Sequence, residues 1–172
     1  MNFDIRQADL SNAEDQHDIL RLLDHYARQP TGQGRPLDAV VRRRLIDGLQ
    51  RHPGTMILLG QVDRRTVALA CCFLGFSTFR ARPILNIHDL VVEQGQRGKG
   101  LGEQMLRAVI DRAARLGCAA VTLEVRGDNP AQRLYQRVGF RFTEGPHLVP
   151  VYFGRYELPP ESANHPSTDQ KG

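Results

Sequence analysis

Between a hydrophobic run and an amphipathic stretch the chain reads Arg97-Gly98-Lys99-Gly100-Leu101-Gly102, with glycine at every second position. Glycine lets a backbone take left-handed angles and approach a bound group closely. A helix that starts here leaves its first amides unpaired, and its dipole favours negative charge at that end. Arg97 and Lys99 add positive charge. The segment is therefore suited to cradle a phosphate-bearing ligand, pyrophosphate above all. Two common phosphate loops are excluded. A Walker loop needs Ser or Thr after Gly-Lys, where Gly100 stands, and a dinucleotide fingerprint needs glycine where Glu103 stands. A glycine-rich connector with no ligand is the remaining alternative.

The elements around this turn can be read from hydrophobic period. Residues 3–8 alternate and predict a first strand. Ser11 with Glu14 forms a capping box for a helix that carries Ile19, Leu22, Leu23 and Tyr26 on one face. A loop over 30–36 leads to a second helix with Leu37, Val40, Val41, Leu45 and Leu49 at helical spacing, closed by Pro53-Gly54. Strands are predicted over 55–62 and 66–79, joined by a tight turn at 63–65, and over 83–92. Residues 100–116 predict the clearest helix, with Leu101, Met105, Val109, Ala113 and Leu116 inward and Gly117 as its stop. A strand over 119–126, a short helix over 130–138 and closing strands over 140–142 and 151–158 follow. Residues 159–172 lack apolar periodicity and are expected to be a disordered tail, leaving one domain over 1–158. The order of elements predicts an α/β fold around one sheet.

With these elements in place, residues 97–102 resemble the R-G-x-G-x-G turn of the GNAT superfamily of N-acetyltransferases. Ile87-His88-Asp89-Leu90-Val91-Val92 is similar to the family's fourth strand. Leu123-Glu124-Val125-Arg126 through Leu134-Tyr135-Gln136-Arg137-Val138-Gly139-Phe140 is similar to its later signature. The resemblance covers roughly residues 3–158. It implies a GNAT-like three-layer fold with a mixed, mostly antiparallel sheet of about seven strands, splayed between strands four and five, and about four helices. It also implies acetyl-CoA as co-substrate, held by Leu90, Val91, Val92, Arg97, Gly98, Lys99, Gly100, Leu101, Gly102, Glu103, Asn129 and Tyr135. The family places an Asn seven residues before the Tyr. Here Asp128 stands at that position and Asn129 one residue later, so either residue is a candidate.

Acetyl transfer to an amine needs a held thioester, a neutral amine, support for the developing oxyanion and a proton for the departing thiolate. The resemblance assigns the oxyanion donors to fourth-strand amides at Leu90–Val92, an effective electrostatic device. It assigns Tyr135 as general acid or as a hydrogen-bond partner of the cofactor sulfur, a packing aromatic being the alternative. A lysine-like amine of pKa about 10.4 must lose a proton before attack. His88, Asp89, Glu93 and Glu124 flank the reaction centre. His88 is the candidate base or water relay, since histidine titrates in a useful range. Strand alternation predicts that His88 and Asp89 face opposite sides. Glu124 or Asp89 is the candidate for recognising a cationic acceptor. The acceptor pocket is expected among His25, Tyr26, Phe76, Phe79, His147 and Tyr152, with 32–34 as a lid.

The bulk numbers agree with this reading. Of the 172 residues, 41% are hydrophobic and 24% charged, as in ordinary globular proteins. No run approaches the roughly 18 apolar residues of a membrane span, and the start lacks the pattern of a secretory signal. The net charge of +4 suits an anionic cofactor, and the arginines form no aromatic-interleaved stripe, so no nucleic-acid or membrane partner is expected. The three cysteines, Cys71, Cys72 and Cys118, make no C-x-x-C pair and are expected as small buried hydrophobes, with no metal site. A cytoplasmic enzyme acting on an amine of unknown identity, with a possible homodimer, is the expectation. A non-catalytic acyl-CoA-binding module is the alternative.

Overall fold

The computed structural model describes residues 2–142. Contacts divide the chain into a unit over Met1–Phe140 and a second over Arg141–Gly172. The first holds every element given below.

Its sheet has five strands, β1 (Phe3–Gln7), β2 (Thr55–Val62), β3 (Arg65–Ser77), β4 (Arg82–Val92) and β5 (Ala120–Leu123), in spatial order of sequence. The first three pairings are antiparallel, and β4 with β5 is parallel. A parallel neighbour needs a crossover, supplied by helix α3 (Leu101–Arg115). The other helices are α1 (Ala13–Ala27), α2 (Ala39–Arg51) and α4 (Gln132–Val138). The β2–β3 connection is a two-residue turn in which Asp63 (φ 48°) and Arg64 (φ 67°) are both left-handed, matching the twist of the strands it joins.

Strand alternation sends each strand's side chains into two apolar layers. Ile57, Leu59, Leu69, Cys71 and Val91 meet Ile19, Leu22 and Leu49 of α1 and α2 on one face. Met56, Leu58, Ala70, Cys72 and Leu85 meet Met105, Leu106 and Val109 of α3, with Tyr135 of α4, on the other. The adjacent cysteines thus lie in opposite layers, and burial raises both thiols, Cys72 to about 12.

Three expectations about elements are corrected. The cap of α1 is Asn12, whose Oδ1 accepts from the Glu14 and Asp15 amides at 2.8 and 3.1 Å. Ser11 instead donates through its amide and hydroxyl to Asp9 Oδ1. β5 ends at Leu123 and not at 126, because its ladder with β4 ends at Ile87–Leu123. Residues 140–142 form no strand, so the described residues carry five strands; 151–158 and the tail at 159–172 lie outside them.

Candidate active site

Beyond Ile87 the fourth strand keeps β3 on one side and has no partner on the other among the described residues, so β4 and β5 splay. The phase of the β3–β4 ladder decides what faces this gap. The Glu93 amide donates to the Val67 carbonyl at 2.9 Å. Antiparallel ladders alternate, so Val91, opposite Leu69, also turns its amide toward β3. Leu90 and Val92 turn theirs into the gap, where the Val92 carbonyl accepts Arg97 Nε at 3.1 Å. This corrects the expectation for Val91: its amide serves the sheet and its side chain, 1% exposed, packs with α1 and α2.

A second correction concerns His88 and Asp89. The pairing shifts here, so that Cys72 lies opposite Ile87 and Cys71 opposite Asp89, leaving His88 as the extra residue of a β-bulge. Ile87 and Leu90 consequently both pack on the α3 side. Asp89, two residues before Val91, belongs to the α1 side. The His88 ring also reaches that side, edge-on to Phe73 with centroids 5.5 Å apart. The two residues therefore share a face. His88 lines the cavity described next and Asp89 does not. Burial raises the Asp89 carboxyl above its ordinary value, with His88 opposing.

A cavity of about 550 Å³ joins the gap to the glycine turn. Gly98 (φ 77°) and Gly100 (φ 78°) are both left-handed, and Gly100 caps α3. A Cβ on either would meet nothing within 4 Å, so the turn's open side is bare backbone. Gly102 differs: a Cβ there would lie 3.1 Å from Leu134 Cδ2, and this glycine lets α4 approach α3. The first-turn amides of α3 have no helical acceptor and point out beside the turn. Arg97 is held between the Val92 carbonyl and Gln29 Oε1, at 2.5 Å from the latter. Lys99 Nζ donates to Gln96 Oε1 at 2.8 Å. Glu103 turns to Arg107 at 2.8 Å and to Arg137 at 3.5 Å, and the hydrogen bond from Arg107 leads in holding its carboxyl below the ordinary range. Such a bare-backbone turn with basic neighbours, leading into an apolar gap walled by Leu90, Leu123 and Leu134, fits a pyrophosphate joined to a slender thioester arm.

The remaining candidates divide. Tyr135 lines the cavity, 9% exposed, and burial, with Tyr26 as a second cause, pushes its phenol up to about 12. Glu124 lines it just past the end of β5, exposed. Asn129 lines it too, its Oδ1 accepting from the Ala131 amide at 2.9 Å, whereas Asp128 pairs with Arg126 at 2.7 Å and does not. Glu93 is bound to Arg21 and to Arg65 (2.9 Å) and is absent from the lining. Of the pocket candidates, Tyr26 lines the cavity, its hydroxyl donating to the Thr31 carbonyl at 3.3 Å. Phe76 and Phe79, at the far end of the β3–β4 hairpin, are 62% and 102% exposed and do not line it, nor does His25. His147 and Tyr152 lie outside the described residues. Sequence reasoning missed Gln29, Thr31 and Arg137, which line the cavity. Arg137 lies two residues after Tyr135 on α4.

The chain is similar to known proteins in sequence and in fold. A sequence model of the acetyltransferase (GNAT) family matches residues 18–140. Over 70 residues the chain is 37% identical to L-methionine sulfoximine/L-methionine sulfone acetyltransferase of Pseudomonas aeruginosa, covering 40% of this chain and 41% of that enzyme. Over 59 residues it is 42% identical to streptothricin acetyltransferase of Streptomyces lavendulae, covering 34% of this chain and 31% of that one. The chain thus spans about two-fifths or less of the curated relatives it matches. The crystal structure of a possible acetyltransferase from Clostridium difficile 630 superposes with a TM-score of 0.75 at 18% identity, over 91% of this chain and 97% of that one, which shows a shared fold. The match over 18–140, on a chain that splays its fourth and fifth strands beside a glycine turn, makes this protein a member of the acetyltransferase (GNAT) family.

Proposed function

We propose that the protein transfers the acetyl group of acetyl-CoA to a primary amine by direct attack within a ternary complex. One observation carries the reading: a single cavity joins the open glycine turn, the edge of β4 at Leu90 and Val92 that has no strand partner among the described residues, and the buried phenol of Tyr135. Bound acetyl-CoA supplies the acetyl group and a thiol leaving group. The turn from Arg97 to Gly102, with Glu103 at the first helical turn, holds the pyrophosphate end, and Asn129 borders the arm. The outward amides of Leu90 and Val92 support negative charge on the thioester oxygen as the amine nitrogen bonds to the carbonyl carbon. As the carbon–sulfur bond breaks, Tyr135 gives its proton to the departing sulfur and regains one from solvent. His88 receives the proton the amine loses, directly or through water, and Glu124 steadies a cationic acceptor. No metal takes part in this scheme.

Our reading puts the chemistry within residues 1–158 and the protein in the cytoplasm. No helix among the described residues is long and apolar enough to cross a membrane. The deciding experiment is thiol release from acetyl-CoA against a panel of small amines, amino acids, aminoglycosides and peptide N-termini. Amine-dependent release supports the reading. Tight binding of acetyl-CoA with no release across the panel replaces it with a non-catalytic binding module.

A further inference from the structure

At the other end of α3 the structure has a second concavity, of about 320 Å³, bounded by the starts of β2 and β4 and the last turn of the helix. The fifteen residues of α3 set it about 22 Å from the glycine turn. Its floor is apolar: Met56 and Leu85 are 7% and 0% exposed, and Leu74 and Leu116 form open walls. Its rim is cationic. Arg112 and Arg115, three apart on one helical face, both line it, and none of its lining residues is acidic.

These arginines have little else to do. Basic residues at a helix end ordinarily serve its last carbonyls. Here backbone amides do so: Leu116, Gly117 and Cys118 donate to the carbonyls of Arg112, Ala114 and Ala113 at 3.0, 3.0 and 2.9 Å. Among the described residues Arg112 makes one long contact, 3.4 Å to Gln7 Oε1, and Arg115 makes no hydrogen bond or ion pair. In the same hollow the hydroxyl of Thr55 is buried with no hydrogen-bond partner among the described residues. Two guanidinium groups over an apolar floor bind a carboxylate more firmly than two on an open surface, because the floor excludes water from one side of the pair. The size is at the lower end for small-molecule pockets.

We propose that this hollow is a second ligand site, for a small carboxylate carried on an apolar body, with the acid held by Arg112 and Arg115 and the body on Met56, Leu74 and Leu85. It is independent of the acetyl-transfer reading and requires no chemistry on the ligand.

The test uses the full-length, isotope-labelled protein titrated with 3-phenylpropionate and octanoate and followed by amide chemical shifts, with saturating CoA present throughout. Saturable shifts at Gly54, Thr55, Leu74 and Leu116 support the site. So does affinity roughly ten-fold weaker in Arg115→Gln, and weaker again in the Arg112→Gln/Arg115→Gln pair. The neutral 3-phenylpropanol should bind as weakly as the acid binds the double variant. Both arginines are at the surface, so the variants should melt like the wild type, and a melt confirms it. Shifts confined to Gly98–Gly102, affinity unchanged in the double variant, or no saturable shift at all each overturn the proposal.

Discussion

Arg97 donates from Nε to the carbonyl of Val92 at 3.1 Å, so the first residue of the glycine turn is tied back to the last residue of β4. The same guanidinium reaches Gln29, just beyond α1, at 2.5 Å. A turn of three glycines is floppy by composition. This clamp gives it a fixed position relative to the splayed strand, and it holds a positive charge beside the first turn of α3.

Arg97→Gln should therefore weaken acetyl-CoA binding by about ten-fold, the value of one charge-assisted contact, while changing the melting temperature little. Calorimetric titration of CoA with a parallel thermal melt measures both. Affinity within two-fold of wild type would remove Arg97 from the cradle.

Tyr135→Phe keeps the ring in its apolar seat and removes only the hydroxyl. Burial holds that phenol's pKa up at about 12, so it stays protonated through any ordinary assay pH and can act as a donor. We expect kcat to fall by about 100-fold with KM for acetyl-CoA changed little, the range for loss of a positioned acid. The wild-type rate should show no alkaline decline from this group below about pH 10. Turnover at the wild-type level would assign Tyr135 to packing against Phe140, 6.0 Å away centroid to centroid.

What could be read in the chain was what local rules decide. The left-handed angles at Gly98 and Gly100 follow from residue type, and α3 follows from its 3.6-residue apolar period, with Leu101, Met105 and Val109 buried as spaced. What stayed hidden depends on pairing between distant segments. Nothing near His88 announces a bulge, because the slip exists only relative to Cys71 and Cys72. The outward phase of Leu90 and Val92 is set by one bond from Glu93 to Val67. Ser11 and Asn12 both suit a helix cap, and the choice fell to Asn12 because Asp9 engages Ser11. Arg137 reaches the cavity only because α4 packs on α3, which the sequence of α4 alone does not state.

The bulge makes its own prediction. With His88 and Asp89 on one face, His88→Ala removes the cavity-lining ring and leaves Asp89, which does not line the cavity. Under the proposed role, kcat/KM for the amine should fall about 100-fold, with acetyl-CoA binding unaffected. Steady-state kinetics with the best amine of the panel decides it; a loss confined to acetyl-CoA affinity would contradict the role.

Stability has a separate anchor. Asp15, with its side chain 4% exposed, accepts from Arg6 at 2.5 and 2.7 Å and from the Asp9 amide at 2.8 Å, joining β1 to α1. Asp15→Asn should cost about 2 kcal/mol at neutral pH, somewhat reduced because Arg6 is 38% exposed and partly screened by solvent. The Arg6 hydrogen bond leads in holding the Asp15 carboxyl below its ordinary range. The contribution is therefore complete above the unfolded value of about 3.9 and is lost as pH falls through the depressed folded one. Denaturant melts of the two proteins should differ at pH 7 and draw together progressively as the pH falls below about 3.9. A gap that persists unchanged in acid would place the effect in packing.

Gly100 allows the cradle to be tested by charge apart from shape. Its φ of 78° disfavours any side chain by about 1 kcal/mol, and a Cβ there meets nothing within 4 Å. Gly100→Ala therefore measures backbone strain and modest crowding of the ligand, and should weaken CoA binding only a few-fold. Gly100→Asp carries a similar backbone cost and also sets a carboxylate on the open side of the turn, where the pyrophosphate would lie. It should weaken binding by a further ten-fold or more, with part of that difference recovered at high salt as the repulsion is screened. Equal affinities for the two variants, or a wild-type value for Asp, would show that no anion rests on the turn between Arg97 and Gly102.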